Sequence, residues 1–536
     1  MTHLTRRTIS RLMFASAFSA LVATTLCNTA AADDWPMWGR TPQRNMTTPA
    51  EKGLPSDFSP GEFIGASDQI DPSNARNVKW IAKLGSQSYG NPTVANGRVY
   101  IGTNNDAARD PKYKGDRSTL FCLDEQSGEL IWQLNFPKLG TGKVSDWEFL
   151  GICSSPTIVG NRLYFVSNLC EVVAADANGM ADGNDGPFTG EAALLANPGE
   201  PAIEISETDG DILWRFNMID ECGVFPHNIT SSAILAVKDY IFTSTSNGVD
   251  YGHVETPAPF APSMILLDRE GNLIGEEGSG LSQRIFHCNW SSPAWLETGT
   301  LKLCIFGGPD GWVYGFSPQV EENEDGYMIL KEAFRFDANP PEYRERDGKP
   351  IKYATRAGPS EVLATPVVHN GKIFVAIGQD PEHGEGAGNL VCIDPNGTGD
   401  ITSTNEVWSY RLINRSISTV AITESGLLFT ADFSGFIYCF DAGTGELKWK
   451  HDTMGHIWAS PLVADGKVYI GNEDGYLTIL KAGPELEVIN EIDMMSPIYS
   501  SPIAANGVLY VGTHTHLFAI ADMSAEPQND AGNQTP

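Results

Sequence analysis

Short runs of alternating apolar and polar residues recur along almost the whole chain. The segment WASPLVADGKVYIGNEDGYLTILK, which begins at Trp458, reappears as YSSPIAANGVLYVGTHTHLFAI from Tyr499 and as YGNPTVANGRVYIGTNND from Tyr89. Each copy predicts a short strand, a turn containing glycine or a polar residue, and a β-branched second strand. Weaker copies complete a set of eight, and they begin at Cys153, Thr230, Trp290, Leu363 and Ile417.

Most copies continue into a third strand and a turn that closes on a tryptophan. DEQSGELIW ends at Trp132, ISETDGDILW at Trp214 and DAGTGELKW at Trp449. One four-stranded sheet cannot bury its faces alone, whereas sheets stacked around an axis bury them against each other. The predicted fold class is therefore all-β, a single eight-bladed β-propeller of four-stranded antiparallel blades. Each tryptophan is expected to fill space against the next blade.

The last copy lacks a fourth strand. It runs from about Ser496 to Asp522, while an orphan strand that contains Trp80 lies upstream of the first copy. We expect residues 77–83 to be the outer strand of the last blade, so that an N-terminal strand closes the ring. The predicted organisation is a leader at 1–32, an N-terminal arm at 33–76 that wraps outside the ring, the propeller at 77–522 and a disordered tail at 523–536.

The first 32 residues are typical of an export signal. Arg6 and Arg7 precede an uncharged stretch from Leu12 to Leu26, and Ala30-Ala31-Ala32 supplies small residues for a signal peptidase. The paired arginines resemble a twin-arginine signal, and an ordinary secretory signal is the alternative. The stretch is too short for a permanent membrane span. The sequence therefore predicts a bacterial, periplasmic or secreted monomer without a transmembrane anchor.

Charge and cysteine content narrow the classes of partner. The 536 residues include 67 acidic and 36 basic side chains, which gives a net charge of -31. Such a surface repels phosphate backbones, so no nucleic-acid partner is expected.

The nine cysteines form no Cys-x-x-Cys-His motif, which argues against haem c. Cys122, Cys392 and Cys439 occupy equivalent strand positions and are predicted to be small buried core residues.

The repeats resemble the PQQ-like repeat family, the eight-bladed propellers shared by quinoprotein alcohol dehydrogenases and the outer-membrane-assembly propeller lipoprotein. The resemblance rests on DEQSGELIW, DAGTGELKW and the eight first-strand copies, and it covers nearly all of the chain after the leader. DDWPMWGRTPQRN and IDPSNARNVKW also look like the opening arm of quinoprotein dehydrogenases. Because this scaffold hosts both redox enzymes and binding proteins, the resemblance does not decide between them.

Several features of quinoprotein dehydrogenases are missing. The quinone in that family is often covered by a disulfide between adjacent cysteines, and its catalytic aspartate usually lies in an Asp-x-Asp run. This chain has no Cys-Cys pair, and Asp310 in GGPDGW is better explained as part of a blade turn. The family's calcium ligands have no clear counterparts. A non-catalytic binding or scaffold module for a protein, polysaccharide or small ligand is thus preferred, with a PQQ-dependent dehydrogenase of alcohols or sugars as the alternative.

Alignment of the eight copies predicts which residues surround the central axis. The residues three positions before the proline equivalent are Tyr89, Cys153, Thr230, Trp290, Leu363, Ile417, Trp458 and Tyr499. Residues two positions earlier lie on the same face of each strand, and they include Asn228, Glu361, Arg415 and His456.

A cation, flat rings and an imidazole suit a planar anionic or aromatic ligand such as PQQ. The alternative is that these side chains satisfy one another between blades, with Glu361 pairing with Arg415. His227 and His287 lie beside this layer and are secondary candidates. The cofactor-binding candidates are Glu361, Arg415, His456, Trp290, Trp458, Tyr499 and Asn228.

An acidic insert after the second copy is a candidate metal site. Asp176, Asn178, Asp182, Asn184 and Asp185 offer hard oxygen ligands of the kind that calcium takes. The spacing lacks the glutamate that completes an EF-hand loop, so a solvated acidic loop is the alternative interpretation.

Overall fold

The fold is all-β, as the sequence predicts. The computed structural model describes residues 33–228 and 230–525, and its main strands form eight four-stranded antiparallel units, here called sheets 1 to 8 in chain order. The predicted leader and most of the predicted tail lie outside the described residues. Within those residues, no helix combines the length and the apolar character needed to cross a membrane.

The arm, its following strand and sheets 1 to 4 contain the first twenty strands. The arm contains β1 (Thr47–Thr48), β2 (Glu62–Phe63) and β3 (Ile70–Asp71), and β4 (Val78–Lys83) follows it. Sheet 1 contains β5 (Thr93–Ala95), β6 (Arg98–Asn104), β7 (Arg117–Asp124) and β8 (Leu130–Pro137), and sheet 2 contains β9 (Thr157–Val159), β10 (Arg162–Ser167), β11 (Glu171–Asp176) and β12 (Ile212–Asn217). Sheet 3 contains β13 (Leu235–Val237), β14 (Tyr240–Ser244), β15 (Met264–Leu267) and β16 (Leu273–Glu277), and sheet 4 contains β17 (Ala294–Glu297), β18 (Lys302–Gly307), β19 (Trp312–Glu322) and β20 (Met328–Asp337).

The second half of the chain repeats this plan. A small hairpin contains β21 (Glu345–Arg346) and β22 (Lys349–Pro350), and sheet 5 contains β23 (Val367–His369), β24 (Lys372–Ala376), β25 (Leu390–Ile393) and, after the short β26 (Gly399–Asp400), β27 (Glu406–Tyr410). Sheet 6 contains β28 (Ala421–Ile422), β29 (Leu427–Ala431), β30 (Phe436–Asp441) and β31 (Leu447–Asp452), and sheet 7 contains β32 (Leu462–Ala464), β33 (Lys467–Gly471), β34 (Tyr476–Lys481) and β35 (Val488–Asp493). Sheet 8 contains β36 (Ile503–Ala505), β37 (Val508–Gly512), β38 (His516–Ile520) and β4.

Helices are few and short. The described residues contain the α-helices α1 (Glu191–Leu194), α2 (Met218–Cys222) and α3 (Pro341–Arg344), and the 3-10 turns Pro72–Asn74, Gly179–Asp182, Leu281–Gln283, Pro381–His383 and Met523–Ala525.

The turn between the first and second strands explains why Asn-Gly recurs in the sequence. In sheet 1, Asn96 and Gly97 have φ of 55° and 75°, and in sheet 8, Asn506 and Gly507 have φ of 55° and 78°. Two consecutive residues with positive φ form the hairpin turn that matches the strand twist, and Asn-Gly tolerates it best. The Asn-Gly turn therefore joins the first and second strands of the sheet as an antiparallel hairpin.

The strand predicted upstream of the first copy is present as β4. It pairs antiparallel with β38, with Trp80 opposite Ala519 and Ala82 opposite Leu517. The fourth strand of sheet 8 therefore comes from the N-terminal side of the chain, as the sequence predicts.

The recurring turn tryptophans connect neighbouring sheets. Each of five indole N–H groups donates to a backbone carbonyl of the next sheet at 2.9–3.0 Å: Trp80 to Glu125, Trp132 to Ala177, Trp214 to Arg269, Trp408 to Ala442 and Trp449 to Gly483. The ring of Trp80 also lies against Gly128 of sheet 1, where a Cβ would collide with it. The predicted docking role of these residues is confirmed, and Trp80 links sheet 8 to sheet 1.

A belt of hydrogen bonds joins the segments that precede the first strands. In five places along this belt, a backbone N–H of one sheet donates to a side-chain oxygen of the next sheet. These bonds run from Ala233 to Ser292, Thr365 to Thr419, Thr419 to Ser460, Ser460 to Ser501 and Ser501 to Asn91. Side-chain donors make the other links, from Asn91 to Ser155, from Ser154 to the carbonyl of Ser232 and from Ser291 to the carbonyl of Ala364. Every sheet is therefore bonded to the next in chain order, and sheet 8 is bonded to sheet 1.

The first part of the arm, residues 35–48, lies among the first strands of the sheets, so the prediction that the arm wraps outside is wrong for this segment. Its backbone bonds to the inner edges of successive sheets: Trp35 with Val94, Pro36 with Ile158, Pro42 with Trp295, Gln43 with Val368 and Met46 with Val463. The Asn45 side chain both donates to and accepts from the backbone of Ile422 in sheet 6. First strands are edge strands, and the arm satisfies backbone groups that they leave unpaired.

The later part of the arm does contact outer strands. The carbonyl of Ser56 accepts from Asn490 of β35, and Asp68 forms an ion pair with Lys83 of β4. The predicted wrapping therefore holds only for this part.

Arg44 anchors the inner segment. It is fully buried, and its guanidinium donates to the carbonyls of Pro293 at 2.9 Å, Trp38 at 2.8 Å and Ile234 at 3.0 Å. Burial lowers its pKa to about 9. The side chain thus ties the arm to sheets 3 and 4 through carbonyl groups that water does not reach.

We predict that Arg44→Ala lowers the free energy of unfolding by about 3 kcal/mol, because several buried carbonyls lose their donors at once. The measurement is the urea midpoint of the purified protein. Arg76→Ala is the matched control, since Arg76 lies in the same arm and its side chain bonds to the exposed Asp57. Equal midpoints for the two variants would contradict the anchoring role.

Candidate functional site

A cavity of about 750 Å³ lies at the centre of the sheets. Its walls are the segments that precede the first strands, and belt residues such as Ser155, Thr419 and Ser501 line it. Trp38 of the arm also lines it and donates its indole N–H to Thr365 at 3.0 Å. The arm therefore contributes to the cavity as well as to the core.

Seven of the eight residues that the alignment placed nearest the axis line this cavity: Tyr89, Cys153, Trp290, Leu363, Ile417, Trp458 and Tyr499. The exception is the third copy, where Ser231 takes the place expected for Thr230. That copy is shifted by one residue, because Ala233 donates the backbone N–H that Ser460 and Ser501 donate in the belt. Aligning the SSA sequence of the third copy with the SSP sequence of other copies therefore places the cavity residue one position too early.

Three of the four predicted aromatic residues form one wall. The rings of Tyr89 and Tyr499 stack with centroids 5.3 Å apart, and Trp458 meets Tyr499 edge-on at 4.8 Å. His514 packs on Tyr499 at 4.4 Å. Each of the three predicted rings is partly exposed, so their faces are available to a ligand. Trp290 lies apart from them, beside His287 at 6.0 Å.

Glu361 does not line the cavity, contrary to the prediction. It is fully buried, and its carboxylate accepts from the backbone N–H of Cys288 at 3.0 Å and the hydroxyl of Tyr353 at 2.9 Å. Burial raises its pKa well above the usual range. The alternative, in which Glu361 pairs with Arg415, is not found either, since no ion pair joins them among the described residues.

Arg415 and His456 also lie away from the cavity lining. The guanidinium of Arg415 donates to the carbonyls of His383, Gly384 and Thr355, so it clamps two loops together. His456 bonds to Glu473 at 2.7 Å, and the other carboxylate oxygen of Glu473 accepts from the indole N–H of Trp458 at 3.1 Å. The prediction that these residues share one layer at the mouth is wrong, because their polar groups find partners in the loops.

Asn228 does line the cavity, and a group of histidines lies next to it. His227, His253 and His383 line the cavity, and His287 packs directly behind them. The ring centroids of His227 and His287 are 4.4 Å apart, and those of His253 and His287 are 4.7 Å apart. The loops before β13 and β17, and those between β14 and β15 and between β24 and β25, bring the four together.

Burial keeps the inner imidazoles neutral. It lowers the pKa of His227 to about 4, and together with the neighbouring imidazoles it lowers that of His287 to about 2. Burial also raises the pKa of Asp380, which lines the same wall, to about 6. The charged residues that line the cavity are Asp380 and Glu382, and no lysine or arginine of the described residues is among them.

The acidic insert has its own pattern of contacts. Asp176 accepts from Asn178 and Asn161, and the Asn178 side chain also pairs with Arg98 and Asp182. The insert folds against two buried carboxylates of the next segment. Asn184 donates to Glu191, and the backbone N–H of Asp185 donates to Asp211 at 3.1 Å.

Sequence reasoning missed most of the histidine wall. His227 and His287 were secondary candidates because they adjoin the aligned layer, whereas His253, His383 and Asp380 lie in inserts that have no repeat register. The PEH segment before Gly384 and the GH pair at Gly252 are the only local signals, and neither predicts a spatial cluster.

The model of the family described as outer membrane protein assembly factor BamB matches residues 70–250 and 386–483, just over half of the chain. No curated protein matches the chain.

Solved structures of two kinds are similar in fold. One is BamB from Moraxella catarrhalis, with 12% identity, a TM-score of 0.50, and coverage of 84% of this chain and 98% of that chain. A europium-containing methanol dehydrogenase has 11% identity, a TM-score of 0.55, and coverage of 91% and 98%. A quinohemoprotein alcohol dehydrogenase from Pseudomonas putida has 11% identity, a TM-score of 0.55, and coverage of 94% and 82%. With the repeats, the all-β sheets and the matching family model, this chain belongs to the PQQ-like repeat family of β-propellers.

Proposed function

We propose that this protein is an exported, non-catalytic β-propeller that binds a small neutral or cationic molecule with a flat face in its central cavity. The observation that carries the proposal is the composition of the cavity lining. Aromatic faces of Tyr89, Trp458 and Tyr499 occur there with Asp380 and Glu382 and without a basic side chain among the described residues. Aromatic faces attract flat or cationic groups, and carboxylates repel anions.

We also propose that the eight sheets form a closed ring. The pairing of β4 with β38, the indole bond from Trp80 to Glu125 and the belt bond from Ser501 to Asn91 all connect sheet 8 to sheet 1. A closed ring leaves no sheet edge exposed between the last blade and the first.

The alternative function, PQQ-dependent oxidation of alcohols or sugars, has less support. PQQ carries several carboxylates, and the described lining offers no lysine or arginine to pair with them. Arg415, the predicted cation, is occupied by three backbone carbonyls. The eight described cysteines are all free thiols, so the adjacent-cysteine disulfide of the family has no equivalent there. The residues do not fit the quinone, and we derive no reaction through it.

A protein or polysaccharide partner is a second candidate. Tyr251, Val254 and Phe260 of the loop between β14 and β15 are all more than 70% exposed, and Tyr251 also lines the cavity. Exposed apolar residues near a cavity mouth suit a macromolecular contact. The fold similarity to BamB is compatible with a scaffold role, and export to the periplasm or the medium, as a monomer without a transmembrane anchor, completes this proposal.

Calcium binding by the acidic insert is a further proposal, with Asp182, Asp185 and the newly found Asp211 as ligands. Asp211 is fully buried, and its Oδ1 atom has no hydrogen-bond partner among the described residues. Burial, with a smaller contribution from the nearby carboxylates of Glu191 and Asp176, raises its pKa to about 6. A bound cation would relieve this crowding of negative charge.

We predict that the cavity discriminates by ligand charge. Three probes with the same rings, 2-naphthol, 2-naphthylmethylammonium and 2-naphthoate, are titrated by calorimetry. The anion should bind at least about tenfold more weakly than the other two, because the carboxylates of Asp380 and Glu382 line the cavity and repel it. Trp458→Ala should weaken the neutral and cationic probes, while Tyr327→Ala, an exposed aromatic residue in the turn between β19 and β20, should not.

Preferred binding of 2-naphthoate would refute the charge argument. Micromolar binding of PQQ in the presence of calcium would instead support the dehydrogenase alternative.

We predict that millimolar calcium raises the melting temperature of the wild-type protein and that Asp185→Asn reduces this increase, since one ligand oxygen is lost. Asp325→Asn, in another exposed acidic turn, is the matched control. A calcium effect that is equally large in Asp185→Asn would place the ion elsewhere.

A further inference from the structure

We propose that His227, His253 and His287 bind one divalent transition-metal ion at the wall of the central cavity. One ligand atom from each of these residues lies within 4.8 Å of the other two. Around a tetrahedral ion with metal–nitrogen distances of about 2.0–2.1 Å, ligand atoms are separated by roughly 3.3 Å. The ligand atoms that lie farthest apart therefore need to approach each other by about 1.5 Å at most.

The hydrogen bonds of His227 leave its other nitrogen as a ligand. Its Nδ1 atom is 2.6 Å from the carbonyl of Val249, so Nδ1 carries the proton and donates it. Its Nε2 atom is buried and has no partner among the described residues. Metal-binding histidines characteristically donate one ring N–H to a backbone carbonyl or carboxylate and bind the ion through the other nitrogen.

His287 shares the unused Nε2 atom, but its Nδ1 atom meets a thiol sulfur rather than a backbone carbonyl. Its Nδ1 atom lies 3.2 Å from the sulfur of Cys288 and 3.7 Å from a carboxylate oxygen of Asp380. Its Nε2 atom is buried without a hydrogen-bond partner in the described part of the chain. Two adjacent, fully buried imidazoles with unused nitrogens cost folding free energy unless a further group occupies the space between them.

The third ligand comes from a more adaptable element. His253 is exposed and lies in the long loop between β14 and β15, while His227 and His287 are held at the entrances to sheets 3 and 4. Such a loop can close on an ion that two fixed imidazoles already hold.

The site opens toward the cavity. His227 and His253 both line it, and His383 lies within 5.6 Å of His287 between ring centroids on the same wall. Three histidine ligands with an open position leave room for water or for a donor atom of a cavity ligand. Imidazole ligands favour Zn²⁺, Cu²⁺, Ni²⁺ and Co²⁺ over Mg²⁺ and Ca²⁺.

A neighbouring group of His287, Cys288 and Glu361 has the same ligand spacing. It is the weaker site, because the carboxylate of Glu361 already accepts from Cys288 and Tyr353, and burial raises the pKa of the Cys288 thiol well above its usual range. A thiol must lose its proton to bind a metal. The two groups share His287 but differ in His253 and Cys288, which makes them separable by mutation.

The test uses the purified full-length mature protein, stripped with a chelator and titrated with Zn²⁺ by calorimetry and with Co²⁺ by visible absorption. We expect one equivalent of each ion to bind, with cobalt d–d bands typical of nitrogen ligands. His253→Ala should weaken binding at least about tenfold, and because this residue is exposed the variant should keep the wild-type circular dichroism and melting temperature. His369→Ala, a histidine of β23 outside the cluster, is the matched control.

Absence of stoichiometric binding, or binding that is unchanged in His253→Ala, would overturn the proposal. Binding that is lost in Cys288→Ser but unchanged in His253→Ala would also overturn it, because the ion would then belong to the other group. Since titration of the naphthalene probes is carried out on metal-free protein, failure of the metal site and failure of the proposed ligand-binding function are distinguishable.

Discussion

The structure depends on how the backbone groups at the centre of the sheets are satisfied. The eight first strands are inner edges, and the N–H and C=O groups on such an edge need partners that another strand would normally supply. Here the arm supplies them, through backbone bonds to Val94, Ile158, Trp295, Val368 and Val463. Arg44 adds donors to carbonyls of sheets 3 and 4 that the arm backbone does not reach. The arm is therefore part of the core, although it precedes every repeat in the sequence.

This arrangement also explains the character of the cavity. The arm and the belt border the cavity at the centre of the sheets, and Trp38 brings an arm side chain into its lining. The segments before the first strands carry the aromatic wall, whereas inserts between later strands carry His253, His383 and Asp380. The repeats thus build a uniform frame, and the irregular loops supply the chemistry that differs from one side of the cavity to the other.

Features that depend on local pattern could be predicted from the sequence. The strands, the Asn-Gly turns, the docking tryptophans and the pairing of β4 with the last sheet follow from repeat spacing and turn chemistry, and the ring of residues around the cavity was correct at seven of eight positions. Long-range polar contacts could not be predicted. Glu361, Arg415 and His456 were expected to line the mouth, but each finds a partner in a loop whose path the repeat does not specify. The histidine wall and the inner course of the arm were missed for the same reason.

Hydrogen exchange measures the role of the arm most directly. If the arm completes the inner edges, amides of residues 35–48 should exchange as slowly as those of the first strands. A chain that lacks the arm should then lose protection at Val94, Ile158, Trp295, Val368 and Val463 together, because each donates to or accepts from the arm. Rapid exchange throughout residues 35–48, with these five positions still protected in the shortened chain, would contradict the account.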